Sequence, residues 1–390
     1  MLTHFIKRAV GDSVQARVSG ASGHVPGRIA DAHLDAAVDW LVRSIEACDG
    51  KASSKGYRFM KGWMPPYPET TGYIIPTLIT LARERQTPEL VATAETMGSW
   101  LAGIQRPDGG YAGREYGVQS EPDVFDTGMI LLGFNTLIHQ GLGATFSMPA
   151  RRAAEFLVTS MDESGCFVRN MSHQIVHAYN VRSAWALMAA GELLGEADFV
   201  DRAADCARWT IAQQNEHGFY LSNNFKPGGN ANTHGTAYVM RGLLQIHYLS
   251  GDEACLASVR RAADEVCRLA ERHGRIAAEL GPQWQYLSSH ICLTGYAQLA
   301  IVLYRLFAIG GETRYRATAD RLLSEVARYQ ALEEGAPWHG GISGSFPIYG
   351  RYAPLQYPNW ATKFFIDAIL AQRHIEAGHA TWPEQDRYGG

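Results

Sequence analysis

The feature that most limits the fold of this chain is a sixfold alternation between two kinds of helical segment. One kind, at residues 31–48, 88–105, 148–160, 197–214, 252–272 and 312–332, spaces its apolar residues by three and four with charges opposite. That is the pattern of a helix buried on one side. The other kind, at 70–84, 126–140, 179–194, 235–249, 291–309 and 361–377, is rich in Gly, Ala, Leu and Ile with few charges. Such helices are expected to be buried on most sides. Landmarks Gly72, Gly128, Arg182, Thr236 and Gly295 follow one another at intervals of about 54 to 59 residues, the length of one helical hairpin with its loops. Six such hairpins predict an all-α chain, a closed ring of inner and outer helices.

Strand signals are weak. Runs such as YLSNNF and GRIAAEL suit short hairpins in loops, and no βαβ alternation occurs. Residues 1–30, with several Gly and Ser, are read as an N-terminal arm, and 31–390 as one toroid domain. The connections at 106–122, 215–234 and 333–360 exceed the usual loop length and are expected to carry function.

Composition removes several classes of function. With 390 residues, 46% hydrophobic and 19% charged, the chain can bury a large core. A net charge of -4 argues against nucleic acid or an anionic membrane surface as partner. No run of 18 apolar residues predicts a membrane span, and the first residues lack the apolar core of a signal peptide. Six cysteines show no CxxC or zinc-type spacing and read as core thiols of a reducing compartment, so a cytoplasmic address is expected. His173 and His177 have no companion acid or cysteine at ligand spacing; neither metal nor other cofactor is expected.

Several connections share a phrase: IQRPDGGYAG (104–113), MDESGCFVR (161–169), QQNEHGFYLS (213–222) and, more loosely, GISGSFPIYG (341–350). A polar helix end is followed by a glycine and an aromatic, which predicts a positive-φ glycine at the helix C-terminus and a ring folded back on the last turn. Six hairpins with such turns resemble the (α/α)6 toroid proteins. These include the six-hairpin glycosidases and polysaccharide lyases, and also the squalene and diterpene cyclases. The resemblance covers residues 31–377 as architecture and implies a fold rather than a reaction.

The stretch EPDVFDTGMILLGF (121–134) sets two acids, Asp123 and Asp126, one turn apart before an apolar run. Its core, DVFDTGM, is similar in outline to the DxDDTA motif of the class II terpene cyclases, in which the middle acid protonates an olefin. Phe125 stands where that donor belongs, and a phenyl ring cannot give a proton. Asp at a helix start is also ordinary capping chemistry, so Asp126 is read either as a cap or as a carboxylate facing substrate.

Polar stripes on otherwise apolar helices are the stronger signal, because burying them without partners costs roughly 1–3 kcal/mol each. His234, Tyr238 and Arg241 fall at i, i+4 and i+7, with Asn232 just upstream. His177, Tyr179, Asn180 and Arg182 open another inner helix; His290, Thr294 and Gln298 open a third. Three helices thus point hydrogen-bonding groups at the ring axis, which suits a polar substrate better than a terpenoid. Singly, each residue is as well explained by core pairing.

The set Asn, His, Tyr and Arg is similar to the catalytic set of the α/α-toroid polysaccharide lyases. That resemblance implies Asn180 or Asn232 neutralising a uronate carboxylate, His234 as base, Tyr238 as acid, and Arg241 or Arg182 binding carboxylate. A C5 uronate epimerase would use the same proton abstraction. A glycoside hydrolase remains an alternative, with Glu69 and Asp126 among the acids bordering inner helices. A glycan-binding protein without catalysis is another. Aromatic residues, Trp284, Tyr286, Trp338 and Trp360 among them, together with His177, Tyr179, Arg182, Asn232 and His290, are read as binding residues for a sugar face, or else as seals between loop and barrel. The expected substrate is an acidic poly- or oligosaccharide of the kind met in exopolysaccharide metabolism.

Overall fold

The computed structural model describes residues 11–12, 27–379, 381–382 and 384–389. Most of the arm expected at 1–30 therefore lies outside the described residues. Among the described residues there are twelve α-helices: α1 (Asp31–Glu46), α2 (Pro68–Arg85), α3 (Glu89–Gly103), α4 (Val124–Leu137), α5 (Gly143–Thr159), α6 (Val181–Leu194), α7 (Ala197–Ala212), α8 (Thr233–Ser250), α9 (Glu253–His273), α10 (Leu293–Gly310), α11 (Thr313–Arg328) and α12 (Asn359–Glu376).

The even-numbered helices form the inner ring. Each packs on the next from α2 to α12, and α12 returns to α2 to close it. The last inner helix also packs against α1, so the first outer helix completes the sixth hairpin. The fold is the (α/α)6 toroid that the helical alternation predicts.

Small residues let the inner backbones meet. A Cβ on Gly72 would lie 2.4 Å from the Cα of Ile130 on α4, and one on Gly295 would lie 2.9 Å from the backbone nitrogen of His234 on α8. Helix α10 is long and apolar enough to cross a bilayer by length and composition, but 78% of it is buried in the ring.

The repeated glycines differ from expectation in place and purpose. Gly109 (φ 87°), Gly165 (φ 80°) and Gly218 (φ 75°) have the positive φ foreseen. Each stands six residues past the end of α3, α5 or α7, in a tight turn rather than at the helix C-terminus. A Cβ on Gly109 would meet the carbonyl of Arg152 on α5 at 2.2 Å, so close approach to the next outer helix is what selects glycine here. In the loosest copy, Gly340, one residue before GISGSFPIYG, faces Ala36 on α1 in the same way. The fold-back of the aromatic does occur: the Tyr111 hydroxyl donates to the carbonyl of Leu101 at 3.0 Å.

Short strands tie the loops at one end of the barrel. β1 (Gly56–Arg58) pairs with β2 (Gly62–Trp63) and with β7 (Gln356–Pro358), β3 (Ala231–Asn232) with β4 (Glu279–Leu280), and β5 (Ile291–Cys292) with β6 (Ser345–Phe346). All pairs are antiparallel. They join the approaches to successive inner helices, so loops far apart in sequence form a rim around the inner-helix N-termini.

Candidate active site

All six inner helices begin at this rim, and their unpaired N–H groups give the mouth a partial positive charge. Two carboxyls stand there without an ordinary ion-pair partner. Glu69 is in the first turn of α2, after Pro68, and Asp126 is in the first turn of α4. Asp123 is the true cap of α4. Its carboxylate accepts from the backbone nitrogens of Phe125 at 2.7 Å and Asp126 at 3.2 Å, and from the Ser172 hydroxyl at 2.7 Å.

With capping assigned to Asp123, Asp126 is left for another role. It is 4% exposed, and its buried Oδ1 has no hydrogen-bond partner. Burial, and then the neighbouring Glu69 and Asp123, hold its carboxyl well above the usual carboxylate range. Burial likewise pushes Glu69 up to about 7, against the opposing pull of a Tyr67 hydrogen bond and the charge of Lys55.

Arg182 supplies the opposite charge. Its guanidinium is enclosed by the rings of Tyr238 at 5.0 Å, Trp185 at 5.3 Å and Phe364 at 5.4 Å, with Nε donating to the Met129 sulfur at 3.1 Å. Its buried Nη1 has no partner. A guanidinium buried in this way is costly unless an anion joins it.

On α8, the His234 ring lies 4.2 Å from that of Tyr238, and its Nδ1 meets Gln298 Nε2 at 2.5 Å. Burial, and then Arg182, push the His234 imidazole well below its usual value, so it is neutral. Phe125 packs 4.9 Å from Tyr238 and 5.4 Å from Tyr179 as part of the wall, so the position of a cyclase donor is here plain apolar lining. Phe225 and Tyr352, 5.7 and 5.2 Å from His234, roof the cluster from two loops, and Trp360 Nε1 donates to the Tyr352 hydroxyl at 2.8 Å.

Of the residues singled out in the sequence, Glu69, Asp126, Tyr179, Arg182, His234, Tyr238 and Trp360 thus gather at the mouth. Asn180, just before α6, is buried with its Oδ1 unpartnered. Asn232 caps α8 by accepting from the backbone nitrogen of His234 at 2.9 Å. His177 is pinned between the carbonyls of Asn224 and Ser172, at 2.9 and 3.0 Å, and stacks on Tyr179. His290 sits beneath Gly350, its Nε2 unpartnered.

The others lie elsewhere. Arg241 lines a cavity toward the opposite end of the barrel. Trp284 donates to the carbonyl of His217 at 2.8 Å, Tyr286 packs on His273, and Trp338 joins a separate apolar cluster with Trp40, Tyr57 and Phe59. These three rings seal loops. Among the described residues no group of three or more His, Cys, Asp or Glu is arranged to hold a metal ion.

Lys363 and Phe364, on α12, lie outside the polar stripes read from the sequence. Burial pushes the Lys363 ammonium down to about 8 in spite of its 2.5 Å ion pair with Asp367. A lysine and an aspartate at i and i+4 inside an apolar helix were the available signal.

Neither a family model nor a curated protein sequence matches the chain. Solved structures do. A D-mannose isomerase superposes with TM-score 0.70 at 12% identity, over 88% of this chain and 97% of that one. An unsaturated glucuronyl hydrolase specific for heparin gives 0.69 at 16% identity, over 89% and 97%, and one from Bacillus sp. GL1 gives 0.66 at 15%, over 89% and 96%. At such identities the likeness speaks for the fold alone, and that fold is the (α/α)6 toroid.

Proposed function

We propose that the protein is a carbohydrate-active enzyme that hydrolyses an acidic oligosaccharide at a uronyl residue, with Asp126 as proton donor and Glu69 as its partner. The observation that carries this reading is the orphaned, buried oxygen of Asp126, whose carboxyl and that of Glu69 are both raised by burial and feel one another's charge. A carboxyl still protonated at neutral pH is what a leaving glycosidic oxygen needs, and a partner titrating near pH 7 can take a proton from the attacking water. Arg182, with Nη1 unpartnered under the mouth, suits the uronate carboxylate, and the converging helix N-termini favour the same charge. The rings of Tyr179, Phe225, Tyr238 and Tyr352 suit the apolar faces of a sugar. The names of the glucuronyl hydrolases that share the fold support an acidic substrate.

Elimination at the uronate is the second reading, favoured by one observation: a neutral His234 in ring contact with Tyr238, which places a base beside an acid. Ultraviolet absorbance separates the two. On oligosaccharides ending in an unsaturated uronyl residue, hydrolysis frees that residue, which then opens and tautomerises to a keto acid, so the conjugated double bond is lost and absorbance falls; on intact uronate polymers, elimination creates the double bond and absorbance rises. The hydrolytic reading expects the fall, and expects it to vanish in Asp126→Asn. Glycan bound with neither signal, and without new reducing ends, would refute catalysis. We further propose a reducing compartment, since all six cysteines are free and buried.

A further inference from the structure

The narrow end of the barrel holds a cavity of about 390 Å³, away from the mouth and lined by Thr80, Arg241, Arg305, Asp367, His374 and Trp382 among others. The volume lies within the range of small-molecule sites. One wall is a stack of planar groups: Arg305 lies 4.6 Å over the Trp382 ring, which stacks on His374 at 5.0 Å, which stacks on His379 at 4.6 Å. All four groups line the cavity and carry nitrogen donors.

Two of those donors are unsatisfied. Arg305 is 3% exposed; its Nη2 donates to Asp386 at 2.8 Å and its Nη1 to Gln245, while its buried Nε has no partner. Trp382 is 8% exposed, and its Nε1 has none either. Of the four acids on the lining, Asp367 is engaged by Lys363 and Thr77, Asp386 by Arg305, and Glu376 by Arg28; Glu84 is the fourth.

Inner-helix C-termini surround the cavity and by themselves call for cations, but that effect fades within the last turn. Arg83 and Arg373 occupy the last turns of α2 and α12, whereas Arg241 and Arg305 lie further in. These two guanidiniums repel, which helps push Arg241 below its usual value.

We infer that this cavity binds a small oxyanion-bearing molecule, a carboxylate or a phosphate of about monosaccharide size, alongside the stacked pair of Arg305 and Trp382. The site is independent of the reaction at the mouth.

Isothermal titration of the full chain with inorganic phosphate and, separately, with glucuronate tests it. At least one probe binds with one site per chain. Affinity falls about tenfold or more in Thr80→Leu, which fills the cavity, and about fivefold in Trp382→Phe, which keeps the stack and removes one donor. Arg305→Met abolishes binding, and if that variant fails to fold, Thr80→Leu decides. Arg182→Gln, at the mouth, leaves this binding in place. Phosphate alone identifies a phosphorylated ligand and glucuronate alone a uronate. Binding of neither probe, binding undiminished by Thr80→Leu, or binding lost only in Arg182→Gln would overturn the proposal.

Discussion

At the mouth of the barrel six helix N-termini converge on buried carboxyls, Glu69 and Asp126; at the narrow end six C-termini converge near buried guanidiniums, Arg241 and Arg305. The helix dipoles account for neither set, because Arg241 and Arg305 lie beyond the last turn, where the effect fades, and the mouth carboxyls are held toward their neutral form. The dipoles do not decide protonation at the mouth, because they contribute about 0.3–1 kcal/mol, whereas raising Glu69 from 4.5 to about 7 corresponds to about 3 kcal/mol. Burial wins there. At the narrow end Asp386 forms an ion pair with Arg305, and Asp367 forms one with Lys363. On the proposed reading one end moves protons, and the other holds a fixed charge.

The largest effect expected from this contrast is on turnover. Asp126→Asn keeps the shape of the side chain and removes the acid, so kcat on an acidic oligosaccharide falls by about 10²–10⁴. Stability holds or rises, because a costly buried carboxyl is gone. Steady-state kinetics with thermal melting checks both, and an active Asp126→Asn would break the contrast.

Stability against pH comes next. Glu69 keeps its proton in the folded chain to about pH 7 but loses it near pH 4.5 when unfolded. The folded state thus binds more protons in that window, and stability falls as pH rises from about 4.5 to 7, by up to about 3 kcal/mol. Glu69→Gln removes the Glu69 share of the slope, leaving that of Asp126, and is more stable than wild type at pH 8. Urea unfolding at pH 5 and 8 measures it; equal slopes in both proteins would show that the Glu69 carboxyl is not held protonated.

The fold was legible because a 3.6-residue period with a wide or narrow apolar face survives in sequence. The span 235–249 stands against Thr233–Ser250, and 197–214 against Ala197–Ala212. The poorest start, 148 against Gly143, follows a turn holding Gly141 at φ 90°, with Pro149 inside the helix, where local signals point to a break. In the site, Phe125 and the His234–Tyr238 pair were legible as one-turn relations. Arg241 was not, since seven residues of helix carry it about 10 Å down the axis, out of the mouth. Trp338 and Trp284 were not either, because their partners, Phe59 and Phe219, come from loops whose pairing no local pattern records.

A smaller effect belongs to the narrow end. Asp386→Asn leaves Arg305 hydrogen-bonded but without a counter-charge and costs about 2 kcal/mol in urea unfolding, with turnover unchanged. Phosphate at millimolar concentration restores part of the loss if the cavity takes an oxyanion. A change in kcat instead would mean that the two ends are coupled.

The smallest effect separates two roles for Asn232. As the cap of α8 it satisfies the backbone nitrogen of His234; as a neutraliser it would face the uronate with its amide. Capping predicts that Asn232→Ala loses about 1 kcal/mol and Asn232→Asp almost nothing, both with normal KM and kcat. Neutralisation predicts the reverse order, because a carboxylate there would repel the substrate while still capping the helix. Comparing the two variants by melting and by kinetics decides between them. A sharp loss of turnover confined to Asn232→Asp would move the substrate carboxylate from Arg182 toward α8.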